Sequence, residues 1–182
     1  MPEFTQLLDA AAAGDRQAAA DLLPLVYDEL RKLAAARMAA EKPGHTLDAT
    51  ALVHEAYLRM IGDQHFDGRG HFFAAAAESM RRVLVNHARD RSRMERGGGK
   101  HRVDLDRLTG AAAAPDDDLL ALDDALDRLE KEFPAAAELA KLRFFAGMTL
   151  GDAADAMGIP RRTADRHWAF ARAWLADELA GG

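Results

Sequence analysis

Apolar residues recur at intervals of three and four positions along most of this chain. After residue 118, for example, Leu119, Leu122, Leu126, Leu129 and Phe133 follow one another at spacings of 3, 4, 3 and 4. This spacing places them on one face of an α-helix, whereas a half-buried strand would alternate apolar and polar residues with a period of two. Because no such alternating run occurs, we predict an all-α fold.

The helical patterns fall into two groups, which predict two small helical domains. A long helix from about His71 to Arg93 runs into Gly97, Gly98 and Gly99, and we expect it to close a first domain of residues 1–99. Residues 100–118 contain four consecutive alanines, Pro115 and three aspartates, with too few large apolar side chains to pack. They are predicted to be a flexible linker, and residues 119–182 a second domain.

The second domain contains a segment, Thr149 to Leu175, with the layout of a DNA-reading helix-turn-helix. Thr149 is suited to cap a short helix, Gly158 to form the tight turn, and Pro160 to open the second helix. Apolar residues of the second helix recur at i, i+4, i+7 and i+11 and predict a buried stripe. These residues are Ala164, Trp168, Ala171 and Leu175.

Arginines gather at the start of that second helix, where a recognition helix meets base edges and phosphates. They are Arg161, Arg162 and Arg166, and Thr163 and Asp165 lie between them. An ordinary helical hairpin with arginines on its solvated face is the alternative interpretation of the same residues.

The net charge of −6 argues against a nucleic-acid partner until its distribution is considered. Eight Lys and Arg residues and only two acidic ones lie between Arg81 and Arg102. A concentrated basic segment attracts phosphates even in an acidic protein, and a solvated helix tail is the alternative interpretation. The absence of cysteine, of a long apolar run and of a secretory leader predicts a cytoplasmic protein without membrane insertion.

Motifs for catalysis or metal binding are absent from the sequence. His54 and Glu55 could begin the zinc motif HExxH, but Leu58 stands where the second histidine is needed. Gly97–Gly99 lack the GK[ST] ending of a P-loop. We therefore expect no enzyme activity, no cofactor and no metal site.

Three segments together resemble the extracytoplasmic-function (ECF) sigma factors, the two-domain promoter-recognition subunits of bacterial RNA polymerase. They are YDELRKLAAARM with HTLDATALVHEAYLRM, then FFAAAAESMRRVLVNHARDRSRMERGGG, and finally ELAKLRFFAGMTLGDAADAMGIPRRTADRHWAFARAWL. The resemblance covers nearly the whole chain and implies core RNA polymerase and promoter DNA as partners, with an anti-sigma factor as a further candidate. It leaves open whether such a factor, phosphorylation or expression level controls the protein.

The resemblance also implies roles for particular residues. The segment ALVHEAYLRM looks like the part of the first domain that docks on the polymerase, through His54, Glu55, Leu58 and Arg59. The next loop, with an aromatic residue that looks exposed, and the long helix after it are implied to capture the opened promoter strand. A loop anchor packed on the core is the alternative interpretation of the aromatic residue, Phe66. The residues expected there are Phe66, Arg69, Arg81, Arg82, Asn86, Arg89 and Arg93.

Departures from the family pattern occur at Asn86, where Asp is frequent, and at Asp165, a negative charge among the recognition-helix arginines.

Two rival functions stay open at this point. One is a free-standing helix-turn-helix regulator, which would bind its operator alone and as a dimer. The other is an adaptor that binds polymerase without opening a promoter.

Overall fold

The computed structural model describes residues 2–38, 49–60, 66, 68–94, 105 and 116–181. Every regular element within these ranges is an α-helix, which confirms the predicted all-α class. Within the same ranges, no helix is both long and apolar enough to cross a membrane.

Four helices lie in the described residues of the N-terminal half. They are α1 (Pro2–Ala12), α2 (Arg16–Met38), α3 (Ala49–Met60) and α4 (Arg69–Met94). Gly14, at a positive φ of 101°, separates α1 from α2. The carboxylate of Asp15 then accepts hydrogen bonds from the backbone N–H of Gln17 at 2.9 Å and of Ala18 at 3.1 Å, and so caps α2.

Four more helices lie between residues 116 and 181, the described part of the C-terminal half. They are α5 (Asp116–Glu132), α6 (Pro134–Phe144), α7 (Leu150–Met157) and α8 (Arg161–Gly181). α5 begins three residues before the expected start of the second domain at residue 119, so Asp116, Asp117 and Asp118 belong to the helix. Carboxylates in a first helical turn are stabilised by the partial positive charge of the helix N-terminus.

The long helix α4 lies between the two halves and has three different faces. Phe72, on its first face, packs edge-on against Phe4 of α1, with ring centroids 4.9 Å apart. A second face contacts α5, α6 and α7 and includes the buried residues Ala77, Leu84 and Ala88. The third face is polar and exposed. The two halves therefore pack against each other through α4.

Candidate nucleic-acid interface

The turn between α7 and α8 forms as its residue types predict. The Thr149 hydroxyl accepts a hydrogen bond from the backbone N–H of Asp152 at 3.1 Å and caps α7. Gly158 has φ 67° and ψ 31°, a left-handed conformation that glycine adopts without a steric penalty. The N–H groups of Gly158 and Ile159 donate to the carbonyls of Asp155 and Ala154, which completes a Schellman motif.

One side of α8 packs on the C-terminal core, as the apolar spacing predicts. Ala164, Ala171 and Leu175 are fully buried. Trp168 is half-buried, and its ring lies 5.5 Å from that of Phe144 on α6. This packing fixes which side of α8 faces solvent.

The arginines at the start of α8 are exposed. Arg161, Arg162 and Arg166 all lie on the solvent side, while Thr163 is half-buried. The Arg161 Nε donates to the Asp165 carboxylate at 3.1 Å, one helical turn away. Asp165 therefore orients Arg161 and reduces the positive charge at that position.

Sequence reasoning missed a further cation beside this helix. Arg143 of α6 donates from Nη1 to the carbonyl oxygen of Met148 at 2.9 Å, and its guanidinium lies 4.9 Å from the Trp168 ring centroid. Burial, and then the positive charges of Arg161 and Arg172, lower the pKa of Arg143. Arginine side chains stay protonated. The three arginines Arg143, Arg161 and Arg172 therefore make the region around α8 electropositive. The sequence gives no signal for Arg143, since its approach to Arg161 depends on how two separate helices pack.

The exposed face of α4 is a second basic surface. Its members are spaced by four, three and four residues and share one side of the helix; we call them the α4 basic row: Arg82, Asn86, Arg89 and Arg93. Arg82 lies 3.5 Å from Glu78, one turn earlier on the helix, and the row is otherwise solvated. Four of the seven residues expected to capture a promoter strand are thus brought together.

Arg81 does not belong to this row. A residue that contacts a DNA strand has to be exposed, and Arg81 is buried. Its side chain points to the second face of α4 and is only 5% exposed. Nε donates to the Asp123 carboxylate, and Nη2 donates to that of Asp127 at 2.6 Å and to the Asp123 carbonyl at 3.1 Å. The acidic helix α5 therefore neutralises Arg81 in this conformation.

Phe66 is also buried, which agrees with the alternative that it anchors the loop on the core and not with an exposed aromatic ring. It is 6% exposed, and its ring packs edge-on against Phe72 at 5.3 Å and His71 at 5.7 Å. A polar loop sequence predicted exposure, but the phenyl group fills a gap in the N-terminal core. Arg69 is half-exposed and its guanidinium lies 3.8 Å from Asp9 of α1.

The residues expected to dock on polymerase form one patch on α3, here called the α3 surface: His54, Glu55, Leu58 and Arg59. The opposite side of the helix is buried through Leu52, Val53, Ala56 and Met60. Leu58 is 54% exposed, an unusual position for a large aliphatic side chain. Glu55 lies 3.2 Å from the Nε2 of His87 on α4, a partner that the sequence did not indicate.

Metal ligands do not cluster anywhere in the part of the chain that the structure describes. An all-α chain with an arginine-bearing helix after a capped turn, and a separate basic row, has the features of a DNA-binding protein. Comparison with known proteins agrees, because the family model described as ECF sigma factor matches residues 1–181. The chain belongs to the ECF sigma factor family, a family of non-enzymatic regulators that act with RNA polymerase in transcription initiation. A search of curated proteins found no match.

Proposed function

We propose that this chain binds core RNA polymerase through the α3 surface and directs it to promoters, which it helps to open. The observation that carries the proposal is the α4 basic row, in which Arg82, Asn86, Arg89 and Arg93 are exposed together while two other sides of α4 are packed. A helix that is buried on two sides holds such a row rigidly. A rigid basic row suits the separated strand of an opened promoter.

Promoter opening has an energetic cost that such a row can offset. Unstacking duplex DNA costs about 1.4 kcal/mol per base-pair step. Arginine side chains lower this cost by holding the displaced backbone electrostatically and by stacking on bases. Asn86 adds a side-chain amide, which can both donate a hydrogen bond to a base edge and accept one from it.

The α3 surface supports the docking part of the proposal. Leu58 offers apolar area, while His54, Glu55 and Arg59 around it offer polar groups that could specify orientation. The patch lies on a different helix from the basic row, so the chain can hold polymerase and DNA at the same time.

The start of α8 supports upstream promoter readout. Its capped, packed turn orients the helix, and Arg162 and Arg166 project from the exposed side. Arginine reads guanine in the major groove through two parallel hydrogen bonds. In this proposal the chain works in the cytoplasm, where polymerase and genome are found.

A binding experiment with purified components tests this function. Core polymerase is mixed with the chain and with a pool of genomic fragments, and DNA retained on the polymerase is sequenced. We expect a stoichiometric complex that enriches fragments sharing two sequence elements, with no enrichment by core polymerase alone. A chain that selects fragments without polymerase, as a dimer, would be a regulator and would contradict the proposal.

A further inference from the structure

Asp165 is the one acidic residue among the arginines at the start of α8, and the proposed function gives it no partner on DNA. Its carboxylate accepts a hydrogen bond from the Nε of Arg161 at 3.1 Å, and the two side chains are 56% and 62% exposed respectively. An exposed ion pair one helical turn apart contributes little to stability. A carboxylate at this position also repels DNA phosphates, so it lowers the general affinity of α8 for DNA.

The guanidinium of Arg161 is restrained by neighbours on two helices. Asp165 holds its Nε from the same helix. The first turn of α7 lies close on another side, since a Cβ added at Gly151 would lie only 3.3 Å from the Nη1 of Arg161. A restrained side chain loses less conformational entropy when it binds a ligand. Arg161 is therefore better prepared for a directional contact than a freely rotating surface arginine.

The hydrogen-bonding groups of this pair fit two different bases. Because Asp165 engages Nε, the two terminal nitrogens of Arg161 are left for O6 and N7 of guanine. An ionised carboxylate only accepts, and it accepts at both oxygens. In the major groove, cytosine presents an N4 amino donor and no acceptor, whereas guanine and thymine present acceptors and no donor. Asp165 thus attracts cytosine and repels guanine and thymine.

We propose that Arg161 and Asp165 read the upstream promoter element as a unit: Arg161 binds a guanine, and Asp165 accepts a hydrogen bond from N4 of a cytosine in the neighbouring base pair. The two side chains touch each other, so the bases that they bind are neighbours as well. Asp165 is the specificity-determining member, because it excludes bases that offer only acceptors. This inference rests on the proposed function, in which α8 reads the upstream element.

The test starts from a promoter fragment that the wild-type complex selects, with its upstream element randomised. Core polymerase with each full-length variant is used to retain fragments, which are sequenced, and the affinities of single fragments are then measured. Asp165→Ala removes the acceptor, and Asp165→Asn replaces it with an amide that both donates and accepts. Asp177→Asn, at an exposed position towards the other end of α8, removes the same charge away from these arginines. Circular dichroism and core-polymerase affinity verify that each variant is folded.

We expect the wild type to select a guanine and, in the adjacent base pair, a cytosine on one of the two strands. Its preference for that cytosine over thymine should be roughly 5- to 150-fold, which corresponds to the usual cost of about 1 to 3 kcal/mol per mismatched base pair. Asp165→Ala abolishes this preference, and it also weakens the selection of guanine because Arg161 loses its anchor. Asp165→Asn tolerates guanine and thymine in place of the cytosine. Asp177→Asn keeps both wild-type preferences.

Identical base preferences in the wild type and in Asp165→Ala would overturn the inference, even if the variant bound every fragment more tightly, because the carboxylate would then act through total charge alone. A weaker selection of guanine with no adjacent cytosine preference in the wild type would also overturn it, and would leave Asp165 as a positioning residue for Arg161. The failure of the proposed function has a different signature. In that case the wild-type complex enriches no upstream element, and the inference fails with it.

Discussion

Glu55 on α3 and His87 on α4 lie side by side, with the glutamate carboxylate 3.2 Å from the histidine Nε2. The contact links the α3 surface to the helix that carries the basic row. Both side chains are partly exposed, so the pair contributes little to stability. Its consequence is to restrict the orientation of Glu55, the one acidic residue of the α3 surface.

The first prediction concerns Glu55→Arg. We expect the affinity for core polymerase to fall at least tenfold, because the substitution reverses the charge in the α3 surface and sets an arginine against His87. The melting temperature should barely change, since surface substitutions seldom alter stability by more than about 0.5 kcal/mol. Glu132→Arg, at an exposed position of α5, is the control. Normal folding with undiminished polymerase affinity would remove Glu55 from the docking surface.

A second prediction separates base readout from phosphate contact on α8. Replacing a base-reading arginine with alanine should cost about 1 to 3 kcal/mol and relax the preference at one promoter position. Replacing a phosphate-binding one should weaken all sequences alike and lower the salt slope by about one. We expect one of these effects at Arg162 and at Arg166, measured as polymerase-dependent promoter affinity at several salt concentrations. Arg128, which pairs with Glu178 at 2.6 Å, provides the control alanine variant. Unaltered binding by both recognition-helix variants would show that α8 is not the reader.

The third prediction distinguishes promoter opening from polymerase docking. Charge reversal at Arg82 and Arg89 should leave core binding largely intact, because the α3 surface lies on another helix. Transcription from a duplex promoter should fall steeply, and a template with a pre-melted bubble should recover much of it. Reversal of Arg16 and Arg31, both exposed on α2, controls for the change in total charge. If the bubble gives no rescue, the α4 basic row does not act in strand capture.

A fourth prediction concerns the buried ring of Phe66. Phe66→Ala should destabilise the protein by about 3 to 5 kcal/mol, as expected when a phenyl group is removed from a core. Phe66→Leu preserves much of the apolar volume but cannot stack on a base. If the ring is only a core anchor, the leucine variant melts close to wild type and transcribes normally. A stable leucine variant that fails to open duplex promoters would instead show that Phe66 leaves the core to stack on DNA.

Local signals account for the parts of the structure that the sequence predicted well. The turn before α8 depends on Thr149 and Gly158, whose conformations follow from their own side chains and immediate neighbours. The buried stripe of α8 follows from apolar spacing alone, as the burial of Ala164 and Leu175 confirms.

Long-range packing accounts for the burial that local patterns did not predict. Arg81 and Arg82 are adjacent arginines with the same local signal, yet one is buried and the other exposed. The difference arises from Asp123, which lies 42 positions further along the chain and reaches Arg81 only because α5 packs on α4. Phe66 is likewise buried because its ring packs against Phe72. The shape of the core that surrounds both rings cannot be predicted from a local sequence pattern.

The central claim, that this chain confers promoter-specific initiation on core RNA polymerase, is tested most directly by transcription in a purified system. Core polymerase is incubated with fragments of the source genome, with and without the chain, and the 5′ ends of the transcripts are mapped. The account predicts discrete start sites that appear only when both proteins are present, each preceded by the same two sequence elements. Transcripts with start sites unaltered by the chain would contradict it.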